Sequence, residues 1–135
     1  PSAEWRGRGR VGHGSTDRVA SRPKSLRTEL YFAAGAVGAS DLLWQAFLKN
    51  VVTRRFPKGL TGLNAYGQWR CPPLTPQLSA DAAKGIVEEQ TRLLVLVHEA
   101  SREANRRIEQ VRKLWRELTG EESVLRLTMP VECRF

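Results

Sequence analysis

Strand-like and helix-like hydrophobic patterns alternate along the chain from Thr28 onward. Residues 28–35 alternate between two sides with a period of two, which is typical of a half-buried strand. Residues 40–56 then carry the apolar stripe of one helix face, with Trp44, Phe47, Leu48 and Val51 at spacings of three and four. Ser40 offers an N-cap for this helix, and Pro57 makes its continuation costly. The first half of the domain therefore predicts a strand followed by a helix.

Residues 62–71 predict a second strand, and the chain then repeats the order of a strand followed by a helix. Residues 88–99 predict a third strand, whose continuous apolar centre is typical of a central strand covered on both faces. A helix should follow between a Ser101 cap and a Gly120 stop. Its apolar stripe comprises Ala104, Ile108, Val111, Trp115 and Leu118.

The last strand, residues 123–135, alternates without a slip. Its apolar side carries Leu125, Leu127, Met129 and Val131. Pro130 cannot donate to a neighbouring strand, so this strand should lie at a sheet edge.

The order β-α-β-β-α-β predicts an α+β domain of the ferredoxin-like, split βαβ type. It has a four-stranded antiparallel sheet with two helices on one face. In that topology Cys71 and Cys133 lie on opposite sheet edges, roughly 14 Å apart at ~4.8 Å per strand. No internal disulfide is therefore expected.

Charge is concentrated at the amino end of the chain. The 135 residues carry a net charge of +8, and residues 1–28 hold seven basic side chains against two acidic ones. Residues 1–27 also lack any hydrophobic period, so we expect a flexible basic arm at 1–27 and one globular domain at 28–135. The residues expected to bind a partner are Trp5, Arg6, Arg8, Arg10, Arg18, Arg22, Lys24 and Arg27.

Such an arm suits an acidic surface: nucleic acid, an anionic membrane or an acidic protein. Interleaved Gly and Arg favour phosphate contact without sequence reading, and Trp5 could stack on a base. The open alternative is a solvated leader without any partner.

Several classes of chemistry find no support in the sequence. There is no Cys/His cluster for a metal and no phosphate-binding loop, so no cofactor is expected. His98 and His13 have no partner that would make either of them part of a triad, so no catalytic residue is expected. No apolar run reaches the ~18 residues that a membrane span needs. We expect a soluble protein of undetermined compartment.

A split βαβ sheet leaves one face without helices, and apolar groups there require a cover: a second copy, the arm or a ligand. Residues that could line such an interface or pocket are Tyr31, Tyr66, Gln68, Trp69 and His98. Gly67 inside a strand indicates a bulge or a close backbone approach. The adjacent Glu88 and Glu89 point to opposite faces, which favours acids that flank an apolar strand over a catalytic pair.

The blocks "ELYFAAG", "WQAFLKNVVTRRFPKGLT", "AYGQWR", "EEQTRLLVLVH" and "ESVLRL" resemble, in order, those of a small bacterial family of uncharacterised domains. The resemblance runs from about Thr28 to Phe135. It implies no catalytic residues, and it implies export for many members, although no export signal is visible here. Lys58 stands where the family usually has an acid, and residues 72–85 replace a shorter hairpin.

These observations together predict a non-catalytic binding or assembly module. It would dock through its open sheet face, on a homodimer partner or another protein, with the arm on an acidic partner. The alternative is a small-molecule-binding protein or small enzyme of the dimeric α+β barrel type.

Overall fold

Four strands form a single antiparallel sheet in the computed structural model, which describes residues 24–35, 40–70 and 86–135, with only the backbone at 69, 70 and 87. They are β1 (Ser25–Ala34), β2 (Thr61–Arg70), β3 (Ile86–Glu99) and β4 (Leu125–Val131). The sheet order is β2-β3-β1-β4, so β4 with its Pro130 lies at an edge, as predicted. The α+β, ferredoxin-like prediction is confirmed.

The first helix contains a turn that the sequence pattern did not reveal. This helix comprises α1 (Asp41–Phe47), a π-helical segment (Leu48–Val52) and α2 (Thr53–Arg55). At its start, the Ser40 hydroxyl accepts a hydrogen bond from the backbone N–H of Leu43 over 3.3 Å. A π turn adds one residue to the helical repeat. The buried face therefore passes from Phe47 to Val52, which is fully buried, whereas the predicted stripe used Val51.

The second helix, α3 (Arg102–Thr119), has the predicted start and end. The Ser101 hydroxyl accepts from the Ala104 N–H over 3.1 Å, and Gly120 ends the helix at φ 76°. The buried stripe is the predicted one except for Leu118, which is about half exposed. None of the helices in the described part of the chain is long and apolar enough to cross a membrane.

The core lies between the helices and one face of the sheet. Four aromatic rings meet there with centroids 5.0–6.0 Å apart: Phe32, Trp44, Phe47 and Trp115. Leu30, Leu94 and Leu96 from the two central strands complete the packing. This single cluster buries the helix-side face of the sheet.

Among the described residues, no second layer covers the other face of the sheet, which corrects one expectation. In β3, Leu94 and Leu96 are buried but Val97 is 52% exposed, so the described residues cover this strand on one face only. In β4 the apolar side faces away from the helices, because the helix side carries Arg126, whose guanidinium reaches Asn105 and Glu109 of α3 at 2.8 Å each. The core residue of this segment is Val124, just before the strand.

Candidate functional site

The uncovered side of the sheet, here called the open face, is an apolar surface with a polar stripe along its middle. Arg27, Glu29 and Tyr31 of β1 form the polar stripe. Strand pairing places each of them between one apolar residue of β3 and one of β4: Val97 and Met129, Val95 and Leu127, and Leu93 and Leu125. Leu63 of β2 extends the apolar surface. A sheet face of this composition is atypical of a solvent-facing surface.

Hydrogen bonds tie the polar stripe together. The Tyr31 hydroxyl donates to Glu29 Oε2 over 2.7 Å, and Arg27 Nε donates to Glu29 Oε1 over 3.1 Å. The Tyr31 hydrogen bond, followed by Arg27, holds the pKa of Glu29 below its ordinary value, against the opposing effect of burial. The same hydrogen bond raises the pKa of Tyr31, aided by burial and by the negative charge of Glu29. The stripe is therefore a fixed charge pair with a phenol, set in apolar surroundings.

A second feature, here called the end groove, lies where β3 extends beyond its β2 neighbour. β2 begins at Thr61, paired with Val95, so of the described strands only β1 lies beside residues 97–99. The turn at residues 56–59 and the start of α3 close the other side of a groove of about 250 Å³. Gly59, at φ 141°, provides the tight bend of that turn.

His98 lies in the wall of the end groove and is held by a relay of hydrogen bonds. Its Nδ1 lies 2.8 Å from the Glu99 carbonyl oxygen, which can only accept, so Nδ1 carries the proton. With the proton on Nδ1, Nε2 is placed to accept from the Thr28 hydroxyl over 2.7 Å. Thr28 accepts in turn from Thr128 over 3.1 Å, and Thr128 accepts from Arg126 Nε over 3.1 Å. Both ring nitrogens are thus used inside the protein.

The charged side chains of the end groove are partly paired. Arg107 Nε donates to Glu103 Oε1 over 2.9 Å, and its Nη1 donates to the Arg55 carbonyl oxygen over 3.2 Å. A hydrogen bond from Arg106, then Arg107, lowers the pKa of Glu103 despite partial desolvation. Lys58 forms no ion pair with any residue that the structure describes.

The residues singled out from the sequence do not converge on one site. Tyr31 lies on the open face, whereas the register puts Tyr66 and Gln68 on the helix side at one end of β3 and His98 on the helix side at the other end. Gln90, the strand partner of Tyr66, is eight residues from His98, or about 26 Å along a strand. The Trp69 side chain lies outside the described part.

Two smaller findings concern the same part of β2. Tyr66 is exposed, and a hydrogen bond to Glu88 raises its pKa, with burial and the Glu88 charge as lesser causes. A Cβ at Gly67 would overlap the Thr91 side chain, so the close approach expected there is present.

Most of the arm residues lie outside the part of the chain that the structure describes. Trp5, Arg6, Arg8, Arg10, Arg18 and Arg22 lie outside the described residues, as does Cys71. Lys24 immediately precedes β1, and Arg27 lies within β1 because that strand begins at Ser25, three residues earlier than expected. Arg27 therefore belongs to the open face.

Sequence reasoning missed Glu29, Thr28 and the buried Arg92. Arg27, Glu29 and Tyr31 share one side of a predicted strand at spacings of two, and this signal could have revealed the polar stripe. Within residues 24–35, 40–70 and 86–135, no group of three or more His, Cys, Asp or Glu side chains could hold a metal ion.

Comparisons with known proteins agree with the fold. A family model described as a protein of unknown function, DUF3574, matches residues 27–135. No curated protein matches the chain. A solved structure of a phage SAM lyase in complex with S-methyl-5'-thioadenosine is similar with a TM-score of 0.54 and 11% identity, covering 80% of this chain and 82% of that one. At this identity the likeness extends to the fold alone.

Proposed function

The chain belongs to the DUF3574 family of unknown function, and we propose that it is a non-catalytic assembly module that pairs with a second copy of itself through the open face. The observation that carries the proposal is the apolar surface around the polar stripe, where Val97 is 52% and Leu125 55% exposed. Side chains of this kind are stabilised by roughly 25 cal/mol for each Å² removed from water. Covering the open face would therefore favour association.

The size of the open face suits a dimer interface. Four strands at ~4.8 Å spacing and about ten residues at ~3.3 Å each give a flat area of about 600 Å². The accessible area of a corrugated sheet is larger than its flat area. The accessible area of the open face is therefore comparable with the ~800 Å² that each partner contributes to a standard interface.

The charges of the polar stripe favour a second copy over other partners. Arg27 and Glu29 are two residues apart on one strand, with backbone positions about 7 Å apart. Their charged groups form an ion pair at 3.0 Å, so the stripe carries a positive and a negative group side by side. A twofold axis that lies between the two sheets and runs across the strands, midway between Arg27 and Glu29, reverses the stripe in the second copy. Arg27 of each copy then lies over Glu29 of the other, so the surface is complementary to itself, whereas a partner of a single charge sign would oppose one end.

The solution mass of the full chain tests this proposal. We expect a dimer by light scattering, and a monomer for Leu127→Lys, which places an ammonium group in the middle of the open face. Leu42→Lys is the matched control, since Leu42 is 81% exposed on α1, within the helical layer. Circular dichroism would establish that both variants remain folded. A monomeric wild type, or a dimer that survives Leu127→Lys, would refute the proposal.

In the proposed module, the basic arm attaches the domain to an acidic surface. The charge of the arm supports this, because six of the seven basic side chains of residues 1–28 precede Ser25. Charges of this kind act without fixed geometry and are weakened by salt.

Small-molecule binding between paired sheets is the second candidate. The hydrogen-bonded Tyr31 and Glu29 would supply a few fixed polar groups within apolar walls, the usual composition of a ligand site. The fold likeness to a structure that holds S-methyl-5'-thioadenosine makes that nucleoside a suitable first probe. Calorimetric binding that weakens in Tyr31→Phe would support this candidate, and the absence of heat would reject this ligand.

A further inference from the structure

We infer that the end groove is a binding site for a small amphipathic anion, with one ring-sized apolar body and one acidic group. The groove lies beside the turn at residues 56–59 and the start of α3. None of the polar-stripe residues lines it, and Val97 is an open-face residue that borders it. The apolar and basic groove residues used below lie on the first helix, on the turn, on α3 and on the helix side of β3, so the inference does not depend on sheet pairing. The ligand chemistry follows from the floor, the charges and the size of the groove.

The floor of the end groove is apolar. Phe56 is almost fully buried, and its ring centroid lies 6.4 Å from that of His98 at a tilt of 55°. Ala104 of α3 is also buried, and Pro57 adds an apolar side to the turn. A flat apolar group can be shielded from water against these side chains.

The charges around the groove favour an anion. Arg55, Lys58 and Arg107 line it against Glu99 and Glu103. Glu103 already accepts hydrogen bonds from both Arg106 and Arg107, which compensates its charge. Lys58 has no ion-pair partner among the described residues, so its ammonium is available to a ligand.

The start of α3 adds positive potential on the same side. Ser101 caps only the N–H of Ala104, which leaves the N–H groups of Arg102 and Glu103 without an intrahelical partner. The N-terminal end of an 18-residue helix carries a partial positive charge. An acidic group between Lys58 and this helix end would meet favourable charge from two directions.

The volume of the end groove and the hydrogen bonds of His98 restrict the class of ligand further. The volume of about 250 Å³ is below the ~300–1,000 Å³ of pockets for drug-sized ligands, which suits one ring with one acidic group. Both His98 nitrogens are hydrogen-bonded inside the protein, so its ring contributes a surface rather than a free base. The end groove is thus suited to binding rather than acid–base catalysis.

The test uses the full chain and four probes that share one ring: benzoate, phenyl phosphate, benzyl alcohol and benzylamine. Amide and imidazole chemical-shift mapping would follow each titration. We expect one or both anions to bind with shifts at residues 56–59, His98 and Ser101, and the neutral and cationic probes to bind at least tenfold more weakly. The ratio of benzoate to phenyl phosphate affinity would distinguish a carboxylate from a phosphate ligand.

Lys58→Gln should weaken anion binding about tenfold, which corresponds to ~1.4 kcal/mol for one lost charge contact. Lys49→Gln is the matched control, because Lys49 is an exposed lysine of the first helix that does not line the groove. Leu127→Lys should leave anion affinity unchanged, which keeps this result separate from sheet pairing. No shifts at the groove, equal binding of benzyl alcohol, or equal affinities of Lys58→Gln and wild type would each overturn the inference.

Discussion

The Tyr31 hydroxyl donates a hydrogen bond to Glu29 Oε2 over 2.7 Å, on the side of the sheet that the helices leave uncovered. Arg27 occupies the other carboxylate oxygen of Glu29. A carboxylate with both oxygens bonded is polar yet internally satisfied. It can therefore lie within an apolar interface at lower cost than an unpaired acid.

The titration of Tyr31 gives a direct test of this bond. The chain has two tyrosines, so Tyr66→Phe leaves Tyr31 as the single phenol to follow by ultraviolet absorbance. We expect a Tyr31 pKa above the ordinary value of 10.0. Glu29→Gln should lower that pKa, because the amide carries no negative charge. Glu88→Gln is the control, since Glu88 bonds Tyr66 and should leave Tyr31 unchanged.

The same pair sets the direction of a pH dependence. The pKa of Glu29 is lowered in the folded state, so its stabilisation is present above 4.5 and is lost as the pH falls through the lower folded pKa. The raised pKa of Tyr31 gives stabilisation that is present below 10.0 and is lost as the pH rises through the folded pKa. Glu29→Gln should therefore flatten both limbs of the stability profile in urea unfolding. Identical profiles for variant and wild type would contradict the bond.

Thr28→Val tests the relay that holds His98. Thr28 is fully buried, and its hydroxyl joins His98 to Thr128. Valine has nearly the same shape but leaves both partners unsatisfied, so we expect a loss of about 1–3 kcal/mol in urea unfolding. Nitrogen NMR should also show a changed chemical shift of His98 Nε2, which loses its hydrogen-bond donor. Thr28→Ser keeps the hydroxyl and should preserve that shift; a serine variant that behaves like valine would rule out the relay.

The fold was predictable because its signals are local. Ser101 and Gly120 mark the ends of α3 through chain-neighbour hydrogen bonds, and period-two alternation locates the strands. The π-helical shift from Val51 to Val52 was not predictable, since it depends on how the first helix packs on the sheet. The pattern of β4 likewise reveals an apolar side without revealing which side the helices cover.

The candidate sites were predictable only as residue types. Tyr31 and His98 stood out as aromatic or titratable side chains, yet Thr28, the partner of His98, is 70 positions away in the chain. Glu29 looked like an ordinary polar position of a strand. Relationships of this kind arise from strand pairing, which a single sequence specifies only weakly.

The arm hypothesis predicts a salt dependence that can be measured on the full chain. Replacing Arg6, Arg8 and Arg10 with serine should weaken binding to double-stranded DNA, used here as a polyanion probe. Each lost phosphate contact should reduce the slope of log affinity against log salt by about 0.9. Fluorescence anisotropy at several salt concentrations would measure the affinity and its salt slope. Lys49→Ser is the control for a general loss of positive charge. An unchanged slope would exclude these three side chains from the contact.

The buried Arg92 should contribute more to stability than any exposed ion pair of the sheet or helices. Its guanidinium, in a residue 2% exposed, donates to Asp41 Oδ1 over 2.7 Å and to Asn64 Oδ1 over 3.0 Å, and lies 5.6 Å from the Trp44 ring centroid. Asp41→Asn removes one compensating charge while keeping the side-chain shape. Because the Asp41 side chain is 79% exposed and screened by water, we expect a loss of about 1 kcal/mol.

Glu117→Gln is the contrast to this pair, in which the arginine is buried and the aspartate is exposed. Glu117 lies 3.7 Å from Lys113 on the exposed side of α3, and an ion pair in water of this kind contributes about 0.5 kcal/mol or less. Urea unfolding of the two variants would compare the two settings directly. Equal losses would mean that Arg92 is stabilised by Asn64 and the Trp44 ring, with Asp41 acting as a surface charge only.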